Sequence, residues 1–382
     1  MLPAITDARL ADGTRVDIAI EGGRIASITP HAGQPGPTHL AGALLLPGLV
    51  EGHVHLDKTM MGLPWRAHAA APNVQGRIEY ERTHRAALGP VRPRAEALLR
   101  RAIAAGTVAL RTHTDIDDAF GLQNFHAVLE VVQEFRAILP IQIVAFPQSG
   151  IVTRKGVADL LDAALAEGAD LVGGLDPATI DGDAKAHLDI VFALAARHGK
   201  GIDIHLHDRD PGGNAQLRDI AARSKAAGMQ GHVTVSHAFS LGTPDKADFA
   251  TTADALAAGG VAILSSAPGS TTMPPVKPLI AHGVTIFGGN DNIRDLWSPY
   301  GNADMLERAW MIAQKQGFRS DEDLALAFDT CSAAGARAMG LEALAITVGA
   351  RADFFALPAE TLAEAIAERP RERQVWIGGR KQ

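Results

Sequence analysis

The chain has 382 residues, 47% of them hydrophobic and 21% charged, a balance that excludes a disordered protein and suits one large folded core with an appendage. A net charge of −7 without any block of Lys and Arg makes nucleic acid an unexpected partner and leaves small molecules as the expected ones. The single cysteine, Cys331, excludes an internal disulfide and a multi-thiolate zinc site, and points to a reducing compartment. Met1 to Asp17 lacks the basic patch and apolar core of a signal peptide. The longest apolar run, Ala41 to Val50, is broken by Gly42, Pro47 and Gly48 and is too short to span a membrane. A cytoplasmic protein without membrane contact is expected.

Residues 1–48 show period-two alternation, Arg15 to Ile20 and Arg24 to Ile28, around Gly22-Gly23, which is a hairpin signal. From residue 49 the rhythm changes. Eight short apolar runs rich in Val and Ile follow: Leu49–His53, Val108–Arg111, Ile141–Phe146, Leu171–Leu175, Ile202–His205, Val233–His237, Val261–Ser265 and Val284–Gly288. Amphipathic stretches separate them. Pro93–Ala105 carries Ala95, Leu98, Leu99 and Ile103 at helical spacing, with Pro93 suited to a first helical position. Asn124–Leu139 carries Val128, Val131, Val132 and Phe135 in the same way. Gly106, Gly168 and Gly283 stand where helices stop before the next strand. The C-terminal stretches Arg351–Leu357 and Gln374–Ile377 return to the strand style of the N-terminus.

Apolar strands alternating with helices imply parallel strands buried on both faces. Eight repeats fit a distorted (β/α)8 barrel over 49–340, rather than a doubly wound open sheet, with a small β-sandwich built from 1–48 and 341–382.

In such a barrel the active site lies at the C-terminal ends of the strands. Those ends carry polar groups here: His53 and His55, Arg111 to Asp115, Gln148, Asp176, His205 to Asp208, Ser236-His237, and Asn290-Asp291. A His-x-His pair on a strand puts both imidazoles on one face, because side chains alternate with period two. One such pair is weak support for a metal. Two pairs with a further His and an Asp at other strand ends make a site for a borderline divalent ion the better reading. His31, His39, His68, His84, His126, His187, His198, His232 and His282 lack strand-end placement and read as surface residues, and His113 reads as structural.

The segment Leu46-Pro47-Gly48-Leu49-Val50-Glu51-Gly52-His53-Val54-His55-Leu56-Asp57 resembles the opening motif of the amidohydrolase superfamily, and the resemblance extends over the whole chain. Ile143 to Gln148 and Val235-Ser236-His237 are similar to its cytosine deaminase branch. His55-Leu56-Asp57-Lys58, Val172 to Thr179, His205-Leu206-His207-Asp208 and Asp291 to Asp295 are similar to the N-isopropylammelide hydrolases within that branch.

The resemblance implies that His53, His55, His205 and Asp291 ligate one divalent ion, Zn(II) or Fe(II). His237 would hydrogen-bond the water-derived nucleophile. Binuclear relatives carry a Lys where this chain has Leu175-Asp176-Pro177, so a single ion is expected. Asp208 stands where cytosine deaminases have a Glu, one methylene longer, which speaks against cytosine itself as substrate. The implied reaction is displacement of an amine from a pyrimidine- or triazine-like ring by hydroxide generated on the metal. Asp291 and His237 would take its proton, and His207 or Asp208 would pass protons to ring and amine. Gln148, Lys58 and Asp176 are expected to hold the ring's polar edge, Trp297 to wall one face, and Thr271-Thr272-Met273 to shape the pocket. Two other readings are opening of a ring amide and non-catalytic metal binding. A homo-oligomer is expected.

Overall fold

The computed structural model describes residues 4–68, 73–209, 212–242, 245–269 and 271–382. The N-terminal segment supplies β1 (Ile5–Arg9), β2 (Arg15–Glu21), β3 (Arg24–Pro30), β4 (Thr38–His39) and β5 (Leu44–Pro47). The barrel strands follow: β6 (Leu49–Val54), β7 (Thr107–Asp115), β8 (Ile141–Phe146), β9 (Leu171–Leu175), β10 (Gly201–Leu206), β11 (Val233–His237), β12 (Val261–Ser265) and β13 (Ile286–Gly288). The chain closes with β14 (Phe354–Leu357), β15 (Gln374–Ile377) and β16 (Arg380–Lys381).

Strands β6 to β13 pair in sequence order, each parallel to the next, as eight strand–helix units predict. The ring closes between β13 and β6 through a single bridge, Val54 to Asp291, where the Asp291 N–H donates to the His53 carbonyl at 2.7 Å. Glycine is required at this seam. A Cβ on Gly52 would come within 2.6 Å of the Gly288 carbonyl, and one on Gly289 within 2.6 Å of the His53 backbone nitrogen.

The distorted barrel and the separate terminal sheet agree with the sequence expectation. The hairpin β2–β3 turns at Gly22-Gly23, both with positive φ. Strands from both termini form one hydrogen-bonded path, β16-β15-β14-β5-β1-β2-β3, around a core that includes Ile18, Leu45, Phe354 and Trp376.

Several local expectations change. Strand β13 starts at Ile286, because the Val284 N–H is still held by Leu279 at the end of the preceding helix. The helix α2 (Val91–Ala104) starts at Val91, so Pro93 is its third residue, still in the first turn where a missing N–H costs nothing. An additional helix, α1 (Val74–His84), fills the long β6–α2 connection and lies beside the pocket. Its polar face gives no core-facing stripe in the sequence.

Candidate active site and metal centre

Parallel pairing sets the ends of β10 and β11 side by side, with His205 opposite Ser236 and Leu206 opposite His237, and closure of the barrel brings the end of β6 to the same mouth. His53, His55, His205 and His237 are buried there, and Asp291 follows β13 at φ 65°. His53, His55 and Asp291 offer ligand atoms within 4.8 Å of one another, and so do His53, His205 and His237. The two groups share His53, so the four expected ligands and His237 gather at one place.

The chemistry of these atoms fits a divalent ion. The His53 Nε2, the His55 Nδ1 and both ring nitrogens of His205 and His237 are buried without a hydrogen-bond partner. A buried polar atom left unpaired is costly, and a shared ion would satisfy several at once. Burial, reinforced by neighbouring imidazoles, holds His53 and His205 well below the usual histidine range. Burial also lowers His237, to about 3. Burial acts to raise Asp291, but His55, His237 and His207 hold it well below the usual carboxylate range. Neutral imidazoles beside an ionised carboxylate form a metal-competent set.

A hydrogen-bond chain sets the His53 tautomer. Ser236 Oγ donates to Asp203 Oδ1 at 2.8 Å, and Asp203 Oδ2 accepts from Arg111 at 2.8 Å. The hydroxyl has one proton, so its 2.9 Å contact with His53 Nδ1 is a bond donated by the imidazole. The lone pair therefore sits on Nε2, the nitrogen without a partner. His113, stacked on His53 at 3.9 Å, is buried beside Asp203 behind the site.

The pocket above these groups holds about 350 Å³, at the lower end for small-molecule sites. Gln148, Lys58, Trp297 and His207 all line it, as does Thr271. Lys58 Nζ donates to Gln148 Oε1 at 2.8 Å and lies 3.2 Å from Glu81 and 3.3 Å from Asp115. Its ammonium also sits over the Trp297 ring, whose Nε1 donates to Glu81 at 2.6 Å. Arg85 ties Asp115 and Asp57 into the same buried cluster. Glu81 and Arg85 escape sequence reading. In the sequence Glu81 and Arg85 belong to a polar stretch that resembles a solvated helix, and they are buried where they meet Lys58, Asp57 and Asp115.

His207 and Asp176 form a pair. Asp176 accepts from the His207 backbone N–H at 2.5 Å and meets Nδ1 of its ring at 2.9 Å. Burial alone would lower His207, but the Asp176 carboxylate outweighs it and raises the ring above its ordinary value. With both oxygens spent, Asp176 is absent from the pocket lining and acts on His207 instead of on a ring edge. Asp208 is also absent from the lining, since its oxygens accept from Thr179 and Gln216. Of the two proton-carrying residues expected after β10, only His207 reaches the pocket.

One histidine read as a surface residue is not one. His187 is fully buried, its Nδ1 2.7 Å from Asp181, and packed where a Cβ on Gly174 would come within 2.6 Å of its Nε2. Its helix faces β9, which the spacing of neighbouring apolar residues does not reveal.

The amidohydrolase family model matches residues 39–381. N-isopropylammelide isopropyl amidohydrolase of Pseudomonas sp. (strain ADP) is 31% identical over 98% of this chain and 96% of its own length. Among solved structures, N-isopropylammelide isopropylaminohydrolase from Burkholderia multivorans superposes with a TM-score of 0.94 at 45% identity, covering 99% of this chain and 97% of that one. The 5-methylcytosine deaminase of Klebsiella pneumoniae, liganded with 5-fluorocytosine, superposes at 0.85 with 25% identity, covering 99% and 96%. With nearly the whole sequence matched and the strand-end motifs brought together in space, this chain belongs to the amidohydrolase family.

Proposed function

We propose that this enzyme hydrolytically displaces an amine from a cyclic amidine, a pyrimidine- or triazine-like ring, with one divalent ion, Zn(II) or Fe(II), held by His53, His55, His205 and Asp291. The observation that carries the reading is the set of buried imidazole nitrogens without partners, gathered beside Asp291 and facing a ring-sized pocket. The reactions named for the two relatives with solved structures point the same way.

Held by these four residues, a divalent ion would lower the pKa of a water from about 15.7 toward ~7. The side chains do the rest. Asp291, ionised, and His237, neutral, would accept the proton that water loses. His207, oriented by Asp176 through Nδ1, turns Nε2 to the pocket and donates a proton to a ring nitrogen. The water oxygen bonds to the ring carbon and the exocyclic C–N bond breaks. One water proton leaves with the amine and the other stays on the oxo product. Gln148 Nε2, buried without a partner, donates to an acceptor on the ring. Lys58 braces Gln148 from behind, and Phe146 and Trp297 supply apolar walls.

The test is chelation, reloading with Zn(II) or Fe(II), and assay on a panel of aminopyrimidines and N-alkylated hydroxy-aminotriazines. Ammonia or alkylamine should appear with the ring intact, and only after reloading. Ring opening, or amine release that chelation leaves unchanged, would overturn the proposal.

A further inference from the structure

The walls of the pocket are unevenly charged. Lys58, Arg77 and Arg209 all line it, whereas Asp291 is the one carboxylate in the lining among the described residues, and the metal reading already uses it. Lys58 is neutralised in place by Glu81 and Asp115. The two arginines are not. Arg77 donates to the Trp297 carbonyl at 2.9 Å and lies over its ring, and Arg209 donates to Thr271 Oγ1 at 2.8 Å. Neither pairs with a carboxylate among the described residues, unlike Arg82 and Arg85 close by, which engage Asp117, Asp118, Asp57 and Asp115. The start of α1 adds to the imbalance. Asn73 and Val74 line the pocket, so the positive end of the helix is turned toward it, and its first turn contains no acid. Gln148 Nε2, buried and without a partner, is another donor in want of an acceptor.

We infer that Arg77 and Arg209 are specificity residues, and that the preferred ring carries a carboxylate. This rests on the function proposed above and goes further by naming the substrate class. Guanidinium groups suit the acid because their planar donors match both of its oxygens. Both are anchored by neutral partners, Trp297 and Thr271, which position the donors without cancelling the charge.

Two measurements test this. In the first, the metal-loaded enzyme is assayed for ammonia release from cytosine-5-carboxylate and 5-methylcytosine, which differ in charge and little in size. The acid should be preferred about tenfold or more in kcat/KM, the scale of one charge-assisted contact, and the ratio should collapse in Arg77→Gln and Arg209→Gln. In the second, orotate and uracil-5-carboxylate are compared with uracil for binding by calorimetry, at low and high salt. The acids should bind more tightly, the advantage should shrink with salt, and it should be lost in the same variants. Equal or better handling of the uncharged rings overturns the inference. So does a preference for the acids that survives both substitutions, which would move recognition to Lys58. Absence of amine release from every ring defeats the proposed reaction, while the binding comparison still decides this point. Both arginines keep part of their side chains in solvent, so neither substitution opens the core.

Discussion

His237 ends β11 at φ 75°, and Asp176 and Asp291 also occupy the left-handed region, at 36° and 65°. Non-glycine residues rarely adopt it, at a cost of order 1–3 kcal/mol each, and such strain gathers where a site needs a particular aim. Here it falls on two groups of the candidate metal centre and on the carboxylate that orients His207. His237 is assigned to the reacting water and not to the ion, so His237→Asn should keep its metal, measured by elemental analysis. Amine release should fall by about 100-fold or more, the range of a lost general base. Loss of metal together with activity would make His237 a ligand. The conflict between position and backbone preference is invisible to local propensity. It exists only because the surrounding strands impose the conformation.

Two elements hold the site from behind. At the β6–β13 seam, Gly289 lies against the backbone of His53, and no side chain fits between them. Gly289→Ala should push β6 away, separate His53 from Asp291, and lower both metal content and melting temperature. A fully loaded variant of unchanged stability would show the seam to be compliant. Between β8 and the helix Val157–Glu167 the chain is pinned by Asp181. Its carboxylate accepts from the Ile151 and Thr153 backbone and from the Thr153 hydroxyl, and meets His187 at 2.7 Å. Burial acts to raise Asp181, but these partners hold it well below the usual range. A depressed folded pKa gives stability that is fully present above the unfolded value of about 3.9 and is lost as pH falls below it. Asp181→Asn should therefore cost about 1–3 kcal/mol near neutrality, with the gap to the parent narrowing toward pH 3 in thermal melts. A gap independent of pH would remove the charge from this account.

At the scale of the molecule, the barrel and the terminal sheet are joined by more than the chain. Gly48, between β5 and β6, donates to the Asp353 carbonyl and accepts from Ser332 at 2.7 Å. Arg373, ahead of β15, has a buried side chain and reaches Asp304 through two nitrogens at 2.7 and 2.6 Å, besides the Ala105 carbonyl. The terminal sheet thereby buttresses the end of α2 and the start of the helix Met305–Gln316. The eight barrel strands and the likeness of the metal motifs were legible in linear order, because apolar runs and helix stops are local signals and His-x-His spacing has one meaning on a strand. What linear order lacked was the company each polar residue keeps. His187 and Asp181, Arg85 and Asp57, and Arg111 and Asp203 are partners through burial. Asp208, equal to His207 in the sequence, turns away because Thr179 and Gln216 capture it. A buried charge takes its role from the groups packed around it, and those are brought to it from distant parts of the chain when the barrel closes.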